Sequence, residues 1–427
     1  MTAASPSGRS LRQPVHTMYG GAHLFTSALT SKLGAAALRA LREFAPDGRT
    51  LADATGIDPD LAARVYPRIV EKLEREPIED YRIDFEDGFG NRPDEEEDRV
   101  ARQSADEIAA GRAAGSLPPR IGIRIKPPSG ELKARSLRTF ELFLTELCDR
   151  THDSLPTDFV ITLPKITTPD EIDTVAAACD AFERRRRLPP GILALELMVE
   201  TTQSIMSSDG RFALPSLVAA GRGRVVAAHF GPYDYSAACD IAAGHQHLRH
   251  AACDLARGLM QISLAGTGIW LSDGPTTVLP VGPRRARDAE TLAAADAAEN
   301  RRIVHHAWRI HAGNVRHALV HGFYQGWDLH PAQLPTRYAA VYAFFLEGLE
   351  AASKRLRNFV DQAARATLVG NVFDDAATGQ GLLNYFLRAI NCGALTEDEA
   401  IERSGLTLDE LRSRSFPAIL ANRHRSR

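Results

Sequence analysis

The chain has 427 residues, 44% hydrophobic and 25% charged, enough to bury a large core in two or three domains or in one oversized α/β barrel. Its 51 basic and 54 acidic side chains leave a net charge of −3, which argues against a protein that coats nucleic acid or anionic membrane. Five scattered cysteines with no C-x-x-C pair argue against a disulfide framework or a structural zinc site and fit a reducing cytoplasm.

Residues 1 to about 13 read as a polar, disordered tail without an apolar signal core. Short β-rich runs then alternate with helical patterns, which predicts a parallel sheet. Strands are expected at Val15–Tyr19, Tyr81–Phe85, Arg120–Ile125, Asp158–Leu163, Ile192–Val199, Arg224–Phe230, Thr267–Leu271 and Phe323–Leu329. The first connection, about 21–80, is an insertion with two predicted helices, Ser31–Glu43 and Asp58–Arg75. Helix Asp94–Ala114 opens on DEEED behind Pro93, and helix Asp170–Arg187 ends in an arginine run, charges that suit the two ends of a helix dipole. Eight strands over 14–335 predict a TIM (β/α)8 barrel, followed at 336–427 by an all-helical cap with capping boxes at Thr396/Glu399 and Thr407/Glu410. No uncharged run approaches the roughly 18 residues of a membrane span.

Polar residues recur where successive strands end: Asp84-Phe85-Glu86-Asp87, Arg124, Lys165, Glu200, Asp234, Asp273 and His330. In a parallel barrel these ends converge on one mouth, where active sites are built. Carboxylates without clustered Cys or His favour a hard cation such as Mg²⁺, or Mn²⁺ in its place. Glu200 and Asp234, on neighbouring strand ends, suit a metal site with two protein ligands. Arg124 is a fork suited to a substrate carboxylate. Metal and arginine across one cavity describe a receptor for a small 2-oxo acid, whose polarised carbonyl stabilises an enolate.

Seven segments, DFEDGFGNRPDEEEDRVAR (84–102), IGIRIKP (121–127), VITLPKI (160–166), ALELMVET (194–201), HFGPYDYSAACDI (229–241), LSDGP (271–275) and GWDLHPAQ (326–333), carry a family resemblance. In this order they resemble the metal-dependent aldolases that include the citrate lyase β-subunit, malyl-CoA lyases and the HpcH/HpaI aldolases, of the phosphoenolpyruvate/pyruvate TIM-barrel superfamily. The resemblance implies a carbon–carbon lyase or aldolase acting on a pyruvate- or glyoxylate-sized 2-oxo acid or its CoA-thioester adduct, in a homo-oligomer. It implies Glu200 and Asp234 as metal ligands and Arg124 as the carboxylate binder, with Asp84, Glu86 and Asp87 holding metal-bound waters. Arg124, Glu86 and Asp87 form the expected catalytic set, and Arg124, Lys165 and Asp84 the expected substrate contacts. Asp361, Asp374 and Asp375 are the candidates for an acid/base from the C-terminal extension. The first strand, HTMYGGAHLF, lacks the basic residue and proline-glycine turn with which the family helps hold CoA, so a free 2-oxo acid adduct stays open beside a thioester.

Two further readings stay open: a phosphoenolpyruvate-using phosphotransferase or mutase on the same barrel, and a non-catalytic, regulatory barrel that binds metal or ligand. The arginine run 184–187 reads as a helix end, and GRGR (221–224) as a tight turn. His317 and His321 stand one helical turn apart, as metal ligands do. With no carboxylate in their own helix, they read as packing or solvated-face residues.

Overall fold

Eight short strands pair in parallel in chain order and close on themselves. They are β1 (His16–Gly21), β2 (Asp80–Asp84), β3 (Arg120–Arg124), β4 (Val160–Leu163), β5 (Ala194–Val199), β6 (Val225–Phe230), β7 (Trp270–Pro275) and β8 (Gln325–Asp328). With helices between them and a helical region after β8, the chain forms the expected TIM barrel. The computed structural model describes residues 12–285, 292–361, 367–369, 372–374 and 376–425. The expected tail lies almost wholly outside them. Among the described residues no helix is long and apolar enough to cross a membrane.

Side chains two apart on a strand share a face, and this alternation sorts the barrel into two environments. Ile83, Ile123, Ile161, Leu163, Leu195, Leu197 and Phe230 join helical residues such as Phe140, Phe143 and Phe182 in the main hydrophobic core. That core lies between the sheet and the helices. The opposite faces meet inside the barrel, which is largely polar. Arg82 on β2 donates from Nε and Nη2 to Glu196 on β5 (3.2 and 2.8 Å) and pairs with Asp80. Strands two and five are not neighbours, so only the barrel interior lets these side chains meet. Thr162 Oγ1 donates to Glu196 (2.7 Å), and His229 Nε2 lies 2.9 Å from it. Burial alone would push the Glu196 carboxyl up, but Arg82 and His229 outweigh it and hold the group well below the usual range. Above this layer a small apolar cluster of Tyr19, Met198 and Trp327 forms the floor of the mouth.

Three local expectations change. The insertion holds three helices, Leu29–Phe44, Gly48–Thr55 and Pro59–Arg75. The unforeseen middle one is capped by Asp47, which accepts from Thr50 N (2.7 Å), and stopped by Gly56 at φ 79. Strand seven starts later than Thr267, because Gly266 and Gly268, at φ 76 and 79, hold that residue in a turn. The C-terminal region is not wholly helical. Thr367–Val369 and Val372–Asp374, rich in β-favouring side chains, pair antiparallel.

The bland readings of two basic motifs are met. Arg185 and Arg186 sit in the last helical turn and pair with Glu141, Asp149 and Asp153. In GRGR, Arg222 and Gly223 take φ 54 and 78 in a turn before β6.

Candidate active site

At the carboxyl end of the barrel the topmost inward positions converge. The β2–β3 register sets Asp84 beside Arg124, and their side chains form a two-point pair: Nε donates to Oδ1 (2.7 Å) and Nη2 to Oδ2 (2.5 Å). Asp84 also accepts the amides of Glu86 (2.9 Å) and Gly88 (2.7 Å), which folds the following loop back over the strand end. The Arg124 guanidinium lies 4.9 Å from the Tyr19 ring and 5.5 Å from Trp327, a cation set over two rings whose own centroids are 4.2 Å apart. The forked grip expected of Arg124 is therefore occupied by Asp84. What remains is Nη1, buried, without a hydrogen bond and 3.1 Å from Glu86 Oε2, which is also unbonded.

Glu200 follows β5 and is 2% exposed. Its Oε1 accepts the amide of Lys165 (2.7 Å), a residue in the left-handed region at φ 50. Burial pushes the Glu200 carboxyl up to about 7 against the pull of Arg124 and Lys165, with nearby Asp234 adding to the rise. The backbone leaves little room around it. A Cβ at Gly231 would stand 2.5 Å from both Cβ and Oε2 of Glu200. Gly231 has φ −103, open to any residue, so the constraint is one of space. Gly231→Ala should displace the Glu200 carboxylate and weaken Mg²⁺ binding about tenfold or more with the fold intact. Calorimetry giving unchanged Mg²⁺ affinity would contradict this.

Asp234, on the short helix Pro232–Ala238, is about half exposed, with Oδ2 3.7 Å from Lys165 Nζ. The same ammonium contacts Glu86 and lies 3.4 Å from Asp87. Burial favours the protonated form of Glu86 and raises its carboxyl despite Arg124 and Lys165. At the more open Asp87 those cations win and lower it. Three predicted carboxylates, Glu86, Asp87 and Asp234, thus gather around the Lys165 ammonium, with Glu200 on the Lys165 amide and the Asp84–Arg124 pair against Glu86.

These residues fit a hard divalent cation. The donor set is all oxygen, two of its carboxylates, Glu86 and Glu200, are buried with raised pKa, and a lysine ammonium stands in as the neutralising charge. Among the described residues, no three of these carboxylates bring ligand atoms within 4.8 Å of one another. That spacing suits an ion held by two protein ligands and waters better than an all-protein cage.

Asp361 and Asp374 end elements whose side chains there fall outside the described residues, as Asp375 does entirely. Sequence reasoning overlooked Tyr19, Arg82, His229 and Trp327. Polar or aromatic residues at alternate positions of otherwise aliphatic strands were the available signal. A cavity of about 700 Å³ lies elsewhere, between helix Pro59–Arg75 and the C-terminal helices. It sits near Arg12 and thus at the amino end of the barrel, and Arg12, Arg68 and Lys72 in its wall are already paired with glutamates.

Fold and site together define a TIM barrel with a carboxylate-ringed mouth over a buried arginine. Residues 1–419 match the family described as "Domain of unknown function (DUF6986)", and the chain belongs to that family. No curated protein matches it in sequence. In structure it is similar to a citrate lyase from Burkholderia xenovorans LB400, at 20% identity and a TM-score of 0.55, over 79% of this chain and 91% of that one. CitE from Mycobacterium tuberculosis, solved with magnesium, acetoacetate and coenzyme A, gives 16% identity and 0.48 over 91% and 99%. Haloferax volcanii malate synthase, in a magnesium/glyoxylate complex, gives 14% and 0.44 over 94% and 97%. At these identities the likeness is one of fold.

Proposed function

We propose that the protein is a Mg²⁺-dependent carbon–carbon lyase or aldolase that makes or cleaves an adduct of a small 2-oxo acid. The observation that carries the reading is the pairing of buried Glu200 and nearby Asp234, which favours a cation, with an Arg124 Nη1 that makes no hydrogen bond and has the Glu86 carboxylate 3.1 Å away, an edge that a substrate anion can take over. Glu200 and Asp234 would hold the ion. When bound, it supplies electrophilic stabilisation of charge developing on the oxo-acid oxygen.

The chain's own residues do the rest. Arg124 meets the substrate carboxylate through Nη1, while Asp84 and the rings of Tyr19 and Trp327 fix the guanidinium plane. Lys165 balances the carboxylates and adds a second positive charge at the rim. Glu86 and Asp87 accept hydrogen bonds from waters around the ion. Whether the second partner is a CoA thioester or a free carbonyl compound is decided outside this set. The test is a panel of 2-oxo acids and CoA thioesters assayed with and without Mg²⁺. Turnover that requires Mg²⁺ is expected, and phosphate release from phosphoenolpyruvate instead would overturn the assignment.

Arg124→Lys provides a sharper check on the anion contact. An ammonium cannot bond Asp84 at two points and also reach the substrate, so KM for the oxo acid should rise by about tenfold or more. An unchanged KM would remove Arg124 from substrate binding.

A further inference from the structure

On the outer wall of the barrel the helix Ala294–Val320 ends beside the helix Ala251–Leu264. His317 lies in its last turn and His321 directly follows it, so both imidazoles fall on one face, with ring centroids 4.2 Å apart. The carboxylate missing from their own helix comes from the neighbouring one. Asp254 Oδ1 accepts from His317 Nε2 at 2.8 Å. Among the described residues, this is the one group in which three ligand atoms lie within 4.8 Å of one another.

We infer that Asp254, His317 and His321 form a second metal site, for a zinc-class divalent cation, separate from the proposed Mg²⁺ site. Three details support a ligand set over a chance contact. His321 Nδ1 lies 2.8 Å from the His317 carbonyl oxygen, which can only accept, so Nδ1 carries the proton. That fixes the tautomer, leaves Nε2 as a lone pair, and is the outer hydrogen bond that metal-binding histidines usually make. Asp254 bonds His317 and Arg257 through Oδ1 alone, which leaves Oδ2 for an ion. The helix ends at this point, where its dipole favours positive charge.

Opposing these are the His317 Nε2 proton, which is given to Asp254 Oδ1 and which an ion bound at Nε2 must displace, and the Arg257 guanidinium at 2.5 Å from the same oxygen. Its other bonds, to Leu248 O and Asp273, anchor the guanidinium, so it contacts Asp254 through Oδ1 and leaves Oδ2 open. Two imidazoles and a carboxylate select Zn²⁺ over Mg²⁺, and a water completes the tetrahedron. Ligand atoms around tetrahedral zinc stand about 3.4 Å apart, so small side-chain rotations suffice. A bound ion would clamp the two helices together. Through Arg257 and Asp273 it would also bear on the end of β7 at the mouth.

The full chain, in excess Mg²⁺ to fill the oxygen site, is titrated with Zn²⁺ against a chromophoric chelator. Co²⁺ absorption serves as a second probe. The expected result is one Zn²⁺ per chain and a tetrahedral Co²⁺ spectrum. Affinity should fall about 100-fold in His321→Ala, a change at an exposed position, and in Asp254→Asn, and stay unchanged in His247→Ala. Absence of stoichiometric Zn²⁺ binding by the native chain would overturn the inference. So would equal Zn²⁺ affinity in a His317→Ala/His321→Ala double variant shown folded by circular dichroism, or loss of binding in His247→Ala.

Discussion

Glu200→Ala combined with Asp234→Ala should abolish Mg²⁺ binding and reduce Mg²⁺-dependent turnover by about 1,000-fold or more, while the barrel stays folded. The fold should survive because neither residue is the sole partner of a buried cation. Lys165 keeps Glu86 and Asp87, and Arg124 keeps Asp84. The native protein should carry a pH signature of the same group. A carboxyl raised to about 7 when folded, from 4.5 otherwise, contributes stability at low pH that is lost as pH rises through about 7. Without Mg²⁺ this contribution therefore declines over that window, and with Mg²⁺ the decline should shrink, because the ion favours the ionised form. Mg²⁺ binding near about pH 6 should also release a proton, with none released near about pH 8. Calorimetry in buffers of different ionisation enthalpy reads this directly, and pH-independent binding with no proton release would contradict it.

Removing Arg82 should have the largest effect on stability. It is fully buried in the barrel interior and joins Asp80 on its own strand to Glu196 across the barrel. Arg82→Met leaves two carboxylates buried, Asp80 with the Thr17 hydroxyl and Glu196 with Thr162, Tyr19 and His229, and removes the guanidinium that neutralised both. The loss should be about 3–5 kcal/mol, the range for breaking a buried pair from one side. A companion Glu196→Leu change removes much of the stranded charge, so the double variant should unfold at higher urea than Arg82→Met alone. Equal midpoints for the two variants would show that the interior network is not coupled as the contacts suggest. Because Tyr19 bonds Glu196 (3.3 Å) and lies under Arg124, loss of the network should also loosen the floor of the site.

How much of this was legible in the sequence depends on range. Strands two to six could be read because they carry an aliphatic or aromatic face for the helices, as Ile121 and Ile123 do on β3, whereas β8, QGWD, has no such face and was marked mainly by its place in the alternation. Helix Asp94–Ala114 could be read because its proline, carboxylates and Gly115 all mark its ends locally. Gathering the strand-end residues at one mouth followed from parallel topology alone. What could not be read were pairings set by register and closure. The Asp84–Arg124 bond requires knowing that those two residues are opposed on β2 and β3. Arg124 looked like a free fork for that reason. Asp254 reaches His317 over 63 residues of sequence, so the histidine pair appeared to lack a carboxylate. The polar interior was hidden for a related reason: Glu196 interrupts an apolar strand, and its partner Arg82 is 114 residues away.

Enolisation of a small 2-oxo acid at this mouth, as proposed, is read by exchange of the methyl protons of pyruvate in deuterium oxide, followed by proton NMR. With Mg²⁺ and native protein the methyl signal should decay. The decay should be lost on chelation and in the Glu200→Ala/Asp234→Ala variant. No exchange above buffer by the Mg²⁺-loaded native chain, or exchange that persists in that variant, would contradict the account.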